Sequence, residues 1–154
     1  MKPCRALNQS GQITLEGDII VYALSEREAW RVPVADVRVI GEFTTANGPF
    51  VDDYFFVFIA RDQSFEASFY AEGRDTLLAE LGHRLCHELQ AGLCHSTSLA
   101  SRVLWPARFE GHPLFDFLPE EPASNILGKL RQRMLPRVHM HFTDEVRKAL
   151  ESGR

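Results

Sequence analysis

The sequence has none of the short motifs that mark a catalyst. It contains no phosphate-loop Gly-x-x-x-x-Gly-Lys, no glycine-rich dinucleotide turn, no Gly-x-Ser-x-Gly and no His-Glu-x-x-His. Those patterns place backbone N–H groups on phosphates, a serine on a strained elbow, or two histidines on one helix face. Without them no catalytic residue set and no cofactor is expected. Cysteine is also scarce: Cys4, Cys86 and Cys94 form no Cys-x-x-Cys pair and no disulfide framework. No stretch approaches the roughly 18 apolar residues that cross a bilayer. Met1-Lys2-Pro3-Cys4-Arg5 leads into no apolar core of a signal peptide. A reducing cytoplasm is the expected compartment.

Positive charge is lacking too. The formal net charge is −4, whereas a nucleic-acid binder carries a strongly basic face. Residues 1–73 hold 6 basic and 11 acidic side chains, net −5, and residues 74–154 hold 11 and 10, net +1. Neither nucleic acid nor a membrane surface is an expected partner.

What is present is the balance of a folded domain. The 154 residues are 45% hydrophobic and 25% charged, enough to bury a core without disulfides or a structural metal. Ile13-Thr14-Leu15, the turn Glu16-Gly17-Asp18 and Ile19 to Leu24 read as a hairpin. Ala29 to Val34 is a strand that Pro33 either confines to an edge or bends. Val37, Val39, Gly41 and Phe43 alternate with Arg38, Ile40, Glu42 and Thr44, predicting one buried face. Tyr54 to Ala60 is apolar on both faces, so both need a cover. Phe65, Ala67, Phe69 and Ala71 alternate with Glu66, Ser68, Tyr70 and Glu72 in a half-exposed strand.

At Gly73 the period changes. Leu77, Leu78, Leu81, Leu85 and Leu89 predict a helix over 75–91, with Asp75 as N-cap or first-turn acid and Gly92 as C-cap. Beyond it, a short helix is expected within Ser96 to Leu104, then a proline-punctuated loop. A helix from Ser124 to Met134, a strand from Val138 to Phe142 and a final helix Asp144 to Glu151 capped by Thr143 follow. The fold class is α+β: an antiparallel sheet or barrel of about six to seven strands, an amphipathic helix and an α-rich C-terminal extension. Residues 1–92 hold the sheet and helix, and 93–154 pack on the same core in a single domain. Trp105, Phe109, Phe115 and Phe117 are the expected cover for the outer face of Tyr54 to Ala60, with a second subunit as the other candidate.

Six or so antiparallel strands followed by one helix over residues 12–91 resemble the pleckstrin-homology-like barrel. The segments that carry this are LEGDIIVY, RVPVADVRVI and the leucine-rich helix after ASFYAEGRD. In bacterial members a basic–apolar–Pro–apolar strand followed by x-Asp-Val/Ile is similar. The resemblance covers about half the chain and implies a scaffold, not a function. Lipid-binding members carry Lys and Arg in the first hairpin loop, where this chain has Glu16-Gly17-Asp18, and often a helix Trp where this chain has Leu. Phosphoinositide binding therefore does not carry over.

Several clusters bear on chemistry. Glu80, His83 and His87 fall on one stripe opposite the leucines, a spacing that serves a divalent-metal clip or a solvated helix face. His139 and His141 share one face of a strand, with His112 or Asp116 as further ligands if the fold brings them close. No metal site is expected from either set. Cys86, and Cys94 next to His95, read as semi-buried structural thiols, since nucleophilic use needs a positioned base. Asp52, Asp53, Glu42, Asp62 and Glu66 form an acidic group around the long strands, expected as solvated ends. Lys129, Arg131, Arg133 and Arg137 form a basic run with no acid between Pro122 and Thr143, expected as a charged helix surface that balances the acidic front half, with docking of an anion or acidic partner as the other candidate role. A non-enzymatic binding or assembly module, with a protein partner or a second copy, is the expected function. A metal-dependent enzyme built on a histidine cluster is the alternative.

Overall fold

Local turns set the strand order, and a computed structural model describes residues 10–45, 52–61, 63–93, 99–119 and 138–152, with backbone alone for 117–119 and 138–141. Strands β1 (Gln12–Glu16), β2 (Ile19–Leu24) and β3 (Arg27–Pro33) form an antiparallel three-stranded sheet in that order. The Gly17-Asp18 turn joins the first two, and β3 is an edge, as Pro33 requires. Strands β4 (Val39–Thr44), β5 (Tyr54–Ile59), β6 (Ser64–Ser68) and β7 (Ala100–Trp105) form a second antiparallel sheet in the order β6-β5-β4-β7. A third pair, β8 (Phe115–Pro119) and β9 (Val138–Phe142), is also antiparallel. The fold is α+β.

The two larger sheets are not joined by a strand ladder. On one side Ile13 N donates to Glu72 O (2.8 Å) and Glu72 N to Gly11 O (2.9 Å). On the other, Trp30 Nε1 donates to Glu66 O (2.8 Å), so a side chain spans the gap between β3 and β6.

Gly73 carries the switch from strand to helix. Its φ is +87°, and a Cβ there would stand 2.4 Å from Ile13 O, so only glycine lets the chain pass so close to β1. Helix α1 (Arg74–Leu85) follows, with Gly73 as N-cap and Asp75 as a first-turn acid. It is shorter than the leucine spacing predicts. Cys86 adopts φ +51° and ψ +37°, His87 N bonds Gly82 O (3.0 Å) and Cys86 N bonds His83 O (3.4 Å). That is a Schellman closure, which ends the helix six residues before Gly92. Leu89 still reaches the core, at 6% exposure, from the return segment.

The segment expected as a short helix within Ser96 to Leu104 is strand β7 over its described part. Its register runs Val103 opposite Gly41 and Arg102 opposite Glu42, so a ladder partner overrides a sequence with little β-branching. The helix expected over Ser124 to Met134 lies outside the described residues. Helix α2 (Asp144–Glu151) forms as expected, with Thr143 Oγ1 accepting from Val146 N (3.4 Å).

Strand β5 is covered on both faces. Phe56 and Phe58 join Ile13, Ile20, Leu77 and Leu81 in the core between the first sheet and α1. Val57 and Ile59 join Val103, Leu114, Phe115, Val146 and Ala149 behind the second sheet, with Phe55 and Phe109 partly buried there. The C-terminal extension is thus the cover, at about 1.5–3 kcal/mol per large side chain withdrawn from water. Trp105 departs from the expected set and packs against the first core. Gly41 makes the second core possible: a Cβ there would stand 2.6 Å from Leu114 Cδ2. The extension also lends β7 to the sheet, and β4 is buried on both faces rather than one, with Ile40 in the first core and Val39 and Phe43 in the second. Among the described residues no helix is long and apolar enough to cross a membrane.

Candidate functional site

Burying both faces of β4 puts a carboxylate inside. Glu42 has 0% exposure. Its Oε1 accepts from Arg102 Nε (3.0 Å) and Gly92 N (2.9 Å), and Arg102 NH2 lies 2.9 Å away. Tyr54 OH donates to Oε2 and accepts from Leu93 N (3.2 Å), while Arg102 NH2 donates to Gln90 O (2.6 Å). Three strands and the segment after α1 are tied by one fully bonded ion pair, as a buried charge requires. The period-two reading of β4 missed this, because Glu42 stands where a solvent-facing residue belongs. Its register partner Arg102 was the available signal.

The other expected clusters are likewise bonded internally or pulled apart. His87 leaves the helix stripe once α1 stops at Leu85, so Glu80, His83 and His87 share no helix face. His87 Nε2 instead lies 3.2 Å from Glu110 Oε2. Cys86 is exposed rather than semi-buried, since the left-handed turn carries it off the helix before the core margin. Asp52 accepts from Ser68 Oγ (2.6 Å) and Ser10 Oγ (3.1 Å), while Asp53 accepts from Tyr70 OH (3.0 Å). The two carboxylates therefore serve different hydroxyls. Tyr22, whose OH donates to Ser10 O (2.8 Å), has its pKa raised by burial and further by the Asp52 charge, against the Ser68 N–H that it accepts. His112 Nδ1 is 2.6 Å from Glu145 Oε2, bridging to α2. In the β8–β9 register Asp116 stands opposite His141, and His139 opposite Leu118. Asp62, Cys94, His95, Lys129, Arg131, Arg133 and Arg137 lie outside the described residues. Among the described residues no three His, Cys, Asp or Glu side chains are grouped to hold a metal ion.

One charged cluster is left open, and it was not anticipated. Strand β3 stops at Pro33, and a single 3-10 turn (Val34–Asp36) carries the chain to β4. Arg38 N bonds Ile59 O (2.8 Å), which sets Arg38 beside the end of β5. Ala60 N bonds Gln63 O (2.8 Å), closing the β5–β6 turn with Arg61 at its tip. Below them the Trp30 ring lies 5.7 Å from Phe58 and 5.4 Å from Phe65 and wedges the sheets together. Past that wedge the edges of β3 and β6 diverge around a groove of about 510 Å³. Arg31, Arg38, Arg61 and Asp36 line it, over Val32, Pro33, Ala60 and Phe65. Arg31 is paired with Glu28 (3.3 Å) and Glu16 (3.6 Å). Arg38, half-buried, and Arg61, exposed, have no carboxylate partner within 4 Å among the described residues.

A larger cleft of about 660 Å³ lies between α1 and the segment after it. Arg74 there pairs with Asp75 (3.0 Å) and stacks 4.0 Å over Phe69, while His87 Nε2 lies 3.2 Å from Glu110 Oε2 and is buried without a hydrogen-bond partner. The smaller groove is the one that gathers two arginines answered by no described carboxylate. No protein-family model, curated protein or solved structure matches this chain.

Proposed function

We propose that this chain is a non-enzymatic binding or assembly module that docks a protein partner at the groove between β3 and β6. The observation that carries the reading is the contrast in charge satisfaction. Glu42, Asp52, Asp53 and Glu145 are each bonded within the fold, whereas Arg38 and Arg61 border a concave surface that Asp36 also lines and have no carboxylate within 4 Å among the described residues. Unpaired cations at the mouth of a pocket steer and orient a partner. The order of six antiparallel strands followed by α1 supports the pleckstrin-homology-like scaffold as part of the same proposal. A cytoplasmic setting belongs to it as well, with the three thiols reduced.

The test is site-directed crosslinking in the native cell. A photoreactive amino acid replacing Gln63, at the groove, is expected to capture a defined protein. The same group at Thr76, on the exposed face of α1, is the control. Equal, non-discrete capture from both positions would defeat the reading.

A further inference from the structure

Resting on the groove as the binding face, we infer that its occupant is an extended acidic segment of the partner protein, with two carboxylates around an apolar side chain. The groove supplies each complement. Pro33 and Phe65 offer an apolar floor, and Arg38 and Arg61 beside it have no carboxylate within 4 Å among the described residues. Arg38 is the sharper determinant. It is half-buried, so a carboxylate that reaches it leaves water and gains a charge-assisted, bidentate contact that lysine geometry would not give. Arg61 is exposed and adds attraction at longer range, which salt screens.

The shape selects an extended chain. β3 and β6 each have one strand neighbour, so the groove runs between two sheet edges that are not hydrogen-bonded to each other. Beyond the groove the Trp30 indole donates to Glu66 O and ties the two strands. A sheet edge recognises an extended chain through main-chain hydrogen bonds, which a helix has already used internally. Charge also sets the class of polymer. Arg38 and Arg61 outnumber Asp36 in the lining and suit a short acidic stretch. A nucleic acid or anionic bilayer would instead meet a chain of net charge −4.

Selection of a phage-displayed random dodecapeptide library on the full-length protein tests this. The expected consensus holds two Asp or Glu residues around one apolar residue. Its affinity should fall by about tenfold or more in Arg38→Glu/Arg61→Glu, and on raising salt from 50 to 500 mM. If the double reversal unfolds the protein, Arg38→Gln/Arg61→Gln with the salt titration gives the same reading. A consensus without acidic residues, or affinity indifferent to both arginines, overturns the inference. So does retention of a single-stranded oligonucleotide or phosphatidylserine vesicles by these arginines when no acidic peptide is selected. Capture at Gln63 of a partner whose bound segment is not acidic overturns the ligand class and leaves the groove as the interface. Absence of both selection and capture overturns the groove itself.

Discussion

Two arginine clusters stand in this fold, one closed and one open. Around Glu42 both carboxylate oxygens are bonded: Arg102, Tyr54, Gly92 and Gln90 lock β4, β5, β7 and the segment after α1 together. Around Arg38 and Arg61 none of the described carboxylates answers the charge. The first cluster is what a protein does to keep a buried ion: it surrounds it with bonds, and its removal is felt by the fold. The second has no such bonds among the described residues, and we assign it to a partner. Substitutions in each can break or sharpen that distinction.

The largest effect belongs to the closed cluster. Arg102→Met leaves Glu42 buried and uncompensated, and should cost about 3–5 kcal/mol of unfolding free energy in urea. Adding Glu42→Leu to Arg102→Met should recover part of that loss, because the orphaned charge is then gone. Strictly additive losses would show that the pair is not coupled. Leu114→Ala provides an apolar yardstick on the neighbouring core and should cost about 2–4 kcal/mol, since Leu114 fills the space that Gly41 leaves.

An intermediate effect is expected at the wall between the two regions. Trp30→Phe keeps a ring against Phe58 and Phe65 but removes the donor to Glu66 O. A loss of about 0.5–1.5 kcal/mol is expected, read by chemical denaturation. Peptide binding should weaken with it if the indole bounds the groove.

Tyr22 gives a smaller signature, dependent on pH. Its pKa is raised above its ordinary value of 10.0, by burial first. A raised pKa favours the protonated phenol in the folded state. The stability it contributes is therefore complete below about pH 10 and is lost as pH rises through the folded-state value. Unfolding free energy measured from pH 8 to 11 should fall more steeply for the wild type than for Tyr22→Phe. Parallel curves would remove Tyr22 from the account.

Much of this architecture can be read from local pattern, and the clusters cannot. The β1–β2 hairpin, the helix after Gly73 and the two-sided burial of β5 each follow from a few adjacent residues whose period or turn chemistry is unambiguous. The end of α1 does not, because leucine spacing continues to Leu89 while the backbone turns at Cys86. Nor does β7: Ser101-Arg102-Val103-Leu104 carries little strand preference, and its ladder with β4 decides it. Glu42 looks solvent-facing until that ladder covers it. Arg31, Arg38 and Arg61 are spread over three elements, and only the arrangement of two sheets gathers them. Lys129, Arg131, Arg133 and Arg137, by contrast, are close in sequence and stand out as a basic run.

The most direct test of the contrast is one double variant measured twice. Arg38→Gln/Arg61→Gln should keep its thermal midpoint within about 2 °C of the wild type, a change under about 0.5 kcal/mol for a chain of this size. The same protein should lose binding of the selected acidic peptide. A midpoint lowered as far as in Arg102→Met, with peptide binding retained, would contradict the account and make the groove arginines part of the scaffold.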